Sequence, residues 1–260
     1  MPDAIASLVA SPQLATGALL YGALALYAAA LAFALFATGV GRAVLWIGIA
    51  LHLAALIGRG WIIEFFPLTN KLESFSAASL ALALVTAATW RDVRLYVVPL
   101  LVLACISLGT ALQFPLDPSY PPPLMRTIWY PLHVPLSFLA YALWAAAAAA
   151  GLAWFREPDP DWLGRVNHLA LQGFALWSLS MICGGVWGVL AWGAYFMWDV
   201  KIIWSVILWF HYASFIHLRF APSLDDRPWI RPALALVGLV WVLVAYVGTS
   251  LLFGRSSHAW

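Results

Sequence analysis

Residues 129–155 read WYPLHVPLSFLAYALWAAAAAAGLAWF, a stretch of 27 residues without Asp, Glu, Lys or Arg. A helix of about 20 apolar residues crosses the hydrocarbon core of a bilayer, so this stretch is long enough to span a membrane. It shows no strand-like alternation, and the run Ala145–Gly151 consists almost entirely of alanine, the strongest helix former. The stretch therefore predicts a transmembrane helix and indicates the fold class of the chain.

Seven further uncharged stretches repeat this pattern along the 260 residues. They lie at about 14–37, 43–58, 74–90, 95–113, 166–191, 202–218 and 233–253. The chain is 64% hydrophobic and 9% charged, whereas a soluble domain carries roughly a quarter charged residues. This composition excludes a cytosolic enzyme, a nucleic-acid-binding protein and a disordered chain. We predict an all-α integral membrane protein in contact with membrane lipid, with about eight transmembrane helices that form one domain over residues 1–260.

The basic residues of the short loops orient the predicted helices, because Lys and Arg gather on the cytoplasmic side of membrane proteins. Eight of the 13 basic residues fall in alternate loops, which we place inside: Arg42, Arg91, Arg94, Arg156, Arg165, Arg219, Arg227 and Arg231. Both termini and the loops near 59–73, 114–128 and 192–201 are then expected outside. This outer side corresponds to the periplasmic face of a bacterial inner or plasma membrane.

Six histidines are the candidate functional side chains, because ionisable groups within a membrane usually face a cavity, a partner or a cofactor. His133 lies near the start of the fifth predicted helix and His258 just past the eighth, so both are expected at the outer face. His217 lies near the inner end of the seventh helix and would serve a second site. For the other three we expect a structural role: His52, His168 and His211.

An aromatic stretch lies between the two outer histidines, where Trp187–Trp204 reads WGVLAWGAYFMWDVKIIW. Four tryptophans, one tyrosine and one phenylalanine fall within these 18 residues, whereas interfacial tryptophans are normally scattered singly. A large flat apolar ligand suits such a surface, and two neutral imidazoles beside it suit the axial positions of haem iron. We therefore predict an external loop that acts as a haem platform, with His133 and His258 as iron ligands. Its predicted side chains are Trp187, Trp192, Tyr195, Trp198 and Trp204.

Ordered segments of the chain resemble the tryptophan-rich WWD haem-handling proteins, and among these the CcsA/ResC family of system II cytochrome c assembly proteins. Residues 67–74 read PLTNKLES, which is similar to the PLSNxYES segment of that family. Residues 132–141 resemble its external-histidine helix, and residues 163–187 resemble the approach to its aromatic motif. The terminal GRSSHAW, residues 254–260, completes the order, and the similarity runs from about residue 43 to the end.

The resemblance implies a function in c-type cytochrome biogenesis. In that family haem crosses from the cytoplasm, is held externally between two histidines and is joined through its vinyl groups to the thiols of a CxxCH apocytochrome c. By resemblance, His133 and His258 are the external ligands of a non-covalently held, b-type haem, and His217 is the inner ligand. The family completes its inner site with a histidine of a CcsB/ResB-like membrane subunit, which we expect as a separate partner. No nucleic-acid partner is expected.

The aromatic stretch departs from the family text, which reads WDPKETW where residues 198–204 read WDVKIIW. We expect Asp199 to orient a neighbouring donor, and the haem propionates to pair with Arg126, Lys201 or Arg255. Three functions stay open because of the departure. The chain is a component of a cytochrome c synthase (haem lyase), a haem exporter or delivery chaperone without ligation activity, or a haem-binding or structural subunit of a respiratory membrane complex. No nucleophile is predicted in the chain, so ligation would depend on holding ferrous haem beside two thiols.

Overall fold

A computed structural model of the chain describes residues 12–36, 39–224 and 226–249. Within these ranges the regular secondary structure is helical and contains no strand. Eight of the described helices are long and apolar enough to cross a membrane. The prediction of an all-α integral membrane protein with eight transmembrane helices is therefore confirmed.

The eight long helices are numbered α1 to α8 in chain order. Their bounds are α1 Pro12–Leu35, α2 Val40–Ile63, α3 Lys71–Ala88, α4 Arg94–Ala111, α5 Trp129–Arg156, α6 Pro160–Trp192, α7 Val200–His217 and α8 Ile230–Leu243. A π-helical turn over Val244–Gly248 continues α8. Short 3-10 helices cover Pro123–Met125, Leu218–Phe220 and Pro222–Leu224.

The chain divides into two compact units, Met1–Arg126 and Thr127–Trp260. In the first unit α1 packs along α2 and α3 packs along α4, with further contacts between α1 and α4 and between α2 and α3. In the second unit α5 packs against both α6 and α8, and α7 contacts the same two helices. The assignment of residues 1–260 to one domain stays a prediction.

The helix α5 is the central element of the second unit. The run Ala145–Ala150 is buried on every face of this helix, as is Gly151 next to it. A Cβ atom placed on Gly151 would lie 3.1 Å from the carbonyl oxygen of Pro232 in α8. Small residues allow the backbones of neighbouring membrane helices to approach this closely. The alanine run therefore holds α5 in the middle of its unit.

Two helices of the first unit extend beyond the uncharged runs that predicted them. The second predicted span stops before Arg59 and the third begins after Glu73, yet both residues are helical. The reason is an ion pair, because Arg59 Nη2 lies 3.1 Å from Glu73 Oε1 and the two side chains are 2% and 0% exposed. Opposite charges that are paired can stay buried where a single charge would be costly. The predicted loop 59–73 is therefore shortened to residues 64–70.

The aromatic stretch Trp187–Trp204 is not a single loop, which corrects the prediction. The helix α6 continues to Trp192 and α7 begins at Val200, so only residues 193–199 lie between the two helices. Gly193 ends α6 with a φ of 74°, a left-handed conformation that glycine adopts without a steric penalty. Three of the six aromatic side chains, Trp187, Trp192 and Trp204, are therefore positioned by helix ends, and the other three lie in the connection.

Candidate functional site

His133 lies in the second turn of α5, where its imidazole contacts α6. Its Nδ1 atom lies 2.8 Å from the carbonyl oxygen of Ser180. Since a carbonyl oxygen can only accept a hydrogen bond, Nδ1 carries the proton of the neutral ring and Nε2 carries the lone pair. Within the described ranges no hydrogen bond engages Nε2, and the side chain is only partly buried. An imidazole held in this way is prepared to ligate a metal through Nε2.

Two buried serine hydroxyls complete the surroundings of His133. The Ser180 Oγ atom lies 2.9 Å from His133 Nδ1 and 2.9 Å from the His133 carbonyl oxygen. The Ser137 Oγ atom lies 2.6 Å from Ser180 Oγ and 3.0 Å from the same carbonyl. Ser180 is a polar residue within the uncharged run 166–191, and nothing in its sequence surroundings marks it as functional. Its partner is 47 positions away, and no sequence signal reveals that contact.

The aromatic side chains at the end of α6 pack against neighbouring rings. Trp187 is 2% exposed and packs between two rings, with centroid distances of 5.1 Å to Tyr130 and 4.7 Å to Trp192. The ring planes meet at 57° and 65°, so the three rings interlock and do not form a flat surface. Trp204, in the first turns of α7, packs against Trp241 of α8 at 5.6 Å. These tryptophans fix the helix ends in place.

The connection between α6 and α7 holds the aromatic side chains that are open to a ligand. Tyr195 is 71% exposed and Trp198 is 87% exposed. Phe196 packs its edge against Trp198 at 5.3 Å, and a Cβ atom placed on Gly185 would lie 3.2 Å from the Tyr195 ring. The connection therefore lies against α6 while it presents exposed ring surfaces. Tyr195 and Trp198 are the members of the predicted platform that can cover a flat ligand.

Asp199 is the N-cap of α7. Its side chain accepts a hydrogen bond from the backbone N–H of Lys201 at 2.8 Å, and its carbonyl accepts one from Ile203 N–H at 3.0 Å. A carboxylate at this position satisfies an otherwise unpaired amide and interacts favourably with the helix dipole. The donor beside Asp199 is thus a backbone amide. The carboxylate thereby fixes where α7 starts, which places Lys201 in the first turn.

His217 lies at the opposite end of α7 from Asp199. Its Nδ1 lies 2.7 Å from the carbonyl oxygen of Ala213, so Nδ1 carries the proton and Nε2 carries the lone pair, as in His133. The 18 residues of α7 span about 27 Å at a helical rise of about 1.5 Å per residue. This distance approaches the thickness of a bilayer core, so His217 lies far from the connection between α6 and α7.

The remaining predicted residues are placed elsewhere or lie outside the described ranges. Arg126 belongs to the first unit, where its Nε donates to the carbonyl oxygen of Pro121 at 3.4 Å. The external ligand His258 and the propionate candidate Arg255 lie outside the described residues.

The other histidines bond to protein groups, in agreement with a structural role. Both ring nitrogens of His52 are engaged, with Nδ1 at 3.0 Å from Tyr27 Oη and Nε2 at 2.7 Å from Ser76 Oγ. His211 bonds through Nε2 to a carbonyl oxygen of α8 at 3.0 Å. His168 bonds to a glutamine of its own helix at 3.0 Å.

The chain is similar to proteins of cytochrome c biogenesis along most of its length. The sequence profile of the family described as Cytochrome C assembly protein matches residues 16–255. The cytochrome c biogenesis protein CcsA of Synechococcus sp. (strain CC9902) is 29% identical over 268 aligned positions, which cover 85% of this chain and 87% of the relative. The CcsA protein of Prochlorococcus marinus (strain MIT 9303) is 28% identical over 303 aligned positions, which cover 96% and 94%.

A solved structure, that of the cytochrome c heme lyase CcmF, shares the fold. It matches 90% of this chain with a TM-score of 0.72 at 19% sequence identity. The chain spans 46% of that protein's length, and a likeness at this identity establishes the fold alone. The family profile and the full-length CcsA relatives establish more. Since both extend over most of the sequence, the chain belongs to the cytochrome C assembly protein family, as a CcsA-type integral membrane protein of cytochrome c maturation.

Proposed function

We propose that the chain binds haem beside the start of α5 and presents it for attachment to an apocytochrome c. The geometry of His133 is the observation that carries this proposal. Its Nδ1–H is held by the Ser180 carbonyl at 2.8 Å, and its Nε2 has no hydrogen-bond partner among the described residues. Histidines that ligate metals in proteins almost always donate their other ring nitrogen in this manner. His133 is therefore one axial ligand of the iron in this proposal.

The second external ligand is His258, by resemblance to the terminal histidine of the CcsA/ResC family. Two neutral imidazoles would then hold a b-type haem without a covalent bond to the chain. This arrangement uses the WWD-like stretch as an external platform. It also requires that the start of α5, the end of α6 and both termini face the periplasmic side, as the distribution of basic loop residues favours.

The aromatic residues divide into two roles in this proposal. Tyr195 and Trp198 cover the haem with their exposed rings, because flat apolar surfaces gain most from stacking and area burial. Three side chains at the ends of α6 and α7 support them: Trp187, which is buried, and Trp192 and Trp204, which are half-buried.

Basic side chains pair with the propionates. Lys201 is the candidate in the second unit, because the Asp199 cap places it in the first turn of α7. A cation there complements a propionate close to the exposed rings of the connection. Arg126 and Arg255 are the further candidates that the sequence supplies.

A second haem position involves His217. Its Nδ1–H is fixed by the Ala213 carbonyl at 2.7 Å and its side chain is exposed, so Nε2 is available to an iron ion from outside the helix. A histidine of a CcsB/ResB-like membrane subunit would supply the other axial ligand. Haem held there would be on the cytoplasmic side, before it crosses to the external site.

In the ligation step the chain acts by positioning the haem next to the thiols of the client. Haem supplies two vinyl groups, and each accepts a Cys thiol of a CxxCH apocytochrome c to form a thioether without a further product. The residues of this chain hold the porphyrin edge next to the thiols, and such orientation converts a bimolecular encounter into an effectively intramolecular one. His133 and the exposed rings therefore act as binding groups, and the reacting sulfur atoms come from the client.

One observation favours a haem exporter or delivery chaperone as a second candidate function. Residues 200–203 read VKII where the family text has PKET, and in the structure they form a regular first turn of α7. Aliphatic side chains at 202 and 203 remove polar groups that an apocytochrome or a propionate partner would use. Haem binding and ligation are therefore separable properties of this chain, and they require separate experiments.

Haem binding is tested on the full chain, purified in lipid nanodiscs and titrated with haem. We expect a Soret band for the wild type and for His168→Ala, a matched control because, among the described residues, His168 bonds only to Gln172 of its own helix. His133→Ala should lose or shift the band, and added imidazole should restore it to His133→Gly. A wild type without Soret absorbance, or a His133→Ala spectrum equal to that of the wild type, contradicts the proposal.

Ligation is tested in cells that lack their own cytochrome c assembly system. The chain is expressed with a CxxCH apocytochrome and a CcsB/ResB-like subunit, and covalent haem is detected on the client after denaturing electrophoresis. Covalent haem that disappears with His133→Ala supports the synthase function. Haem-loaded chain without covalent haem on the client supports the delivery chaperone.

A further inference from the structure

Two residues of α6 that lie one turn apart, Ser180 and Gly184, form the surface on which the His133 imidazole packs. Ser180 offers its carbonyl oxygen to Nδ1 at 2.8 Å. Gly184 lies four residues further along the same face, and a Cβ atom placed there would lie 2.7 Å from both Nδ1 and Cε1 of His133. The same Cβ would lie 3.3 Å from Cγ, so the ring lies directly against the backbone of α6. An alanine at 184 therefore forces the imidazole to move.

The absence of a side chain at position 184 explains how the His133 ring comes this close to the Ser180 carbonyl and the backbone of α6. In an α-helix the carbonyl of residue i already accepts the N–H of residue i+4, here Gly184. The oxygen has a second lone pair, and a Cβ atom at position 184 would occupy the space through which the ring reaches it. Glycine has no Cβ atom, so the ring approaches the carbonyl edge-on and donates to the second lone pair. Ser180 and Gly184 therefore work as a pair.

We propose that Ser180 and Gly184 are positioning residues that fix the tautomer and orientation of His133, so that Nε2 stays unprotonated and directed away from α6. The consequence for haem affinity rests on the proposed function, whereas the tautomer is a property of the chain without haem. Neither residue touches the iron in this proposal. They act through the imidazole, and their effect is measured on its protonation and on its ability to bind.

The first test uses the full chain without haem, labelled with ¹⁵N-histidine in lipid nanodiscs. The His133 signal is identified by its loss in His133→Gln, and ¹⁵N chemical shifts report which ring nitrogen carries the proton. We expect Nδ1–H in the wild type and a mixture with the Nε2–H form in Gly184→Ala. Gly164→Ala is the control, because it lies on the same helix and its Cβ meets nothing within 4 Å. A wild-type His133 protonated at Nε2 overturns the inference.

A second variant keeps the test decisive if Gly184→Ala does not fold. Ser180→Ala removes the hydroxyl but keeps the carbonyl, so the proton should stay on Nδ1. Migration of the proton to Nε2 in Ser180→Ala would show that the hydroxyl holds the tautomer, and it would overturn the assignment to the carbonyl. Retention of Nδ1–H supports it.

The third test measures haem affinity in the same nanodiscs. Loss of a group that orients a metal-ligating histidine typically lowers affinity about tenfold or more, so Gly184→Ala should weaken haem binding by this factor while Gly164→Ala does not. Free imidazole should also restore haem binding to His133→Gly. The double variant His133→Gly/Gly184→Ala should need a higher imidazole concentration, because the added methyl group occupies the space where the ring binds.

The outcomes separate this inference from the proposed function. A wild type that binds no haem contradicts the proposed function, and the ¹⁵N measurement then decides the inference by itself. A wild type whose haem depends on His133, together with equal affinities for Gly184→Ala and Gly164→Ala, contradicts the inference alone.

Discussion

His52 and His133 lie in apolar helices of different units, and their hydrogen bonds differ in one respect. His52 is fully buried and uses both ring nitrogens, one with Tyr27 and one with Ser76. His133 uses Nδ1 alone, which donates to the Ser180 carbonyl. Both rings are neutral members of a helix bundle, and only the second has a lone pair that no described group takes. The difference shows that the bonding of each nitrogen, more than burial, separates a structural histidine from a candidate ligand.

The same contrast extends to the polar groups of the first unit. Glu73 accepts from Arg59 through Oε1 and from the N–H and hydroxyl of Thr69 through Oε2, at 2.8–3.1 Å. Arg59 also donates to the Leu116 carbonyl at 2.9 Å, and Asn70 caps α3 by accepting from the Glu73 N–H at 2.9 Å. The PLTNKLES segment is thus part of a saturated cluster that joins α2, α3 and the loop after α4. Such a cluster fixes the backbone segments that it joins. The cluster at His133 instead leaves the Nε2 atom for a ligand.

The largest expected effect comes from breaking the saturated cluster with Glu73→Ala. Removing one partner of a buried ion pair leaves the other charge uncompensated, so the free energy of unfolding should fall by about 3–5 kcal/mol. It is measured by denaturant titration of the purified chain in detergent. Asp92→Ala is the matched control, because among the described residues that exposed carboxylate accepts a hydrogen bond only from the Trp90 indole, and its loss should cost about 0.5 kcal/mol. If the two variants lost equal amounts of unfolding free energy, the buried ion pair would not contribute to stability.

A reciprocal pair of variants tests the two histidines against each other. His52→Ala should cost about 2–4 kcal/mol of stability, because it opens a cavity and leaves two buried hydroxyls unpaired. His133→Ala should cost only about 1 kcal/mol, as expected for a single lost hydrogen bond. Haem affinity should follow the opposite order, and both quantities are measured on the same nanodisc samples. Loss of haem in a folded His52→Ala protein would remove the distinction drawn between the two sites.

Much of the fold could be predicted from sequence, because a membrane helix is encoded by local composition. The uncharged run 129–155 corresponds to α5, Trp129–Arg156, within one residue. The helix ends near Arg59 and Glu73 could not be predicted in this way. Their charges interrupt the apolar runs, and the ion pair that makes them compatible with a helix interior joins residues 14 positions apart in different helices.

The candidate site was predictable only in part. His133 stands out as an imidazole near a helix end, but the contacts that make it a suitable ligand come from α6, 47 positions away. The aromatic stretch stands out by its composition, which gives Trp187 and Trp198 equal weight. In the structure one is 2% exposed and the other 87%, because helical periodicity turns the first inward while the second lies in the connection.

The smallest expected effect comes from the two aspartates that cap neighbouring helices of the second unit. Asp199 accepts from the N–H of Lys201 at the start of α7, and Asp159 accepts from the N–H of Asp161 at the start of α6, both at 2.8 Å. Replacing either by alanine should cost about 0.5–2 kcal/mol, since each variant loses a cap of the same kind. Only Asp199→Ala should also weaken haem binding. Asp199 sets the position of Lys201 by capping α7, and it comes directly after the exposed Trp198 in the chain. Hydrogen exchange of the first turn of α7 and haem titration of both variants measure the two effects. If Asp159→Ala weakened haem binding as much, then general stability, and not the local position of α7, would govern the site.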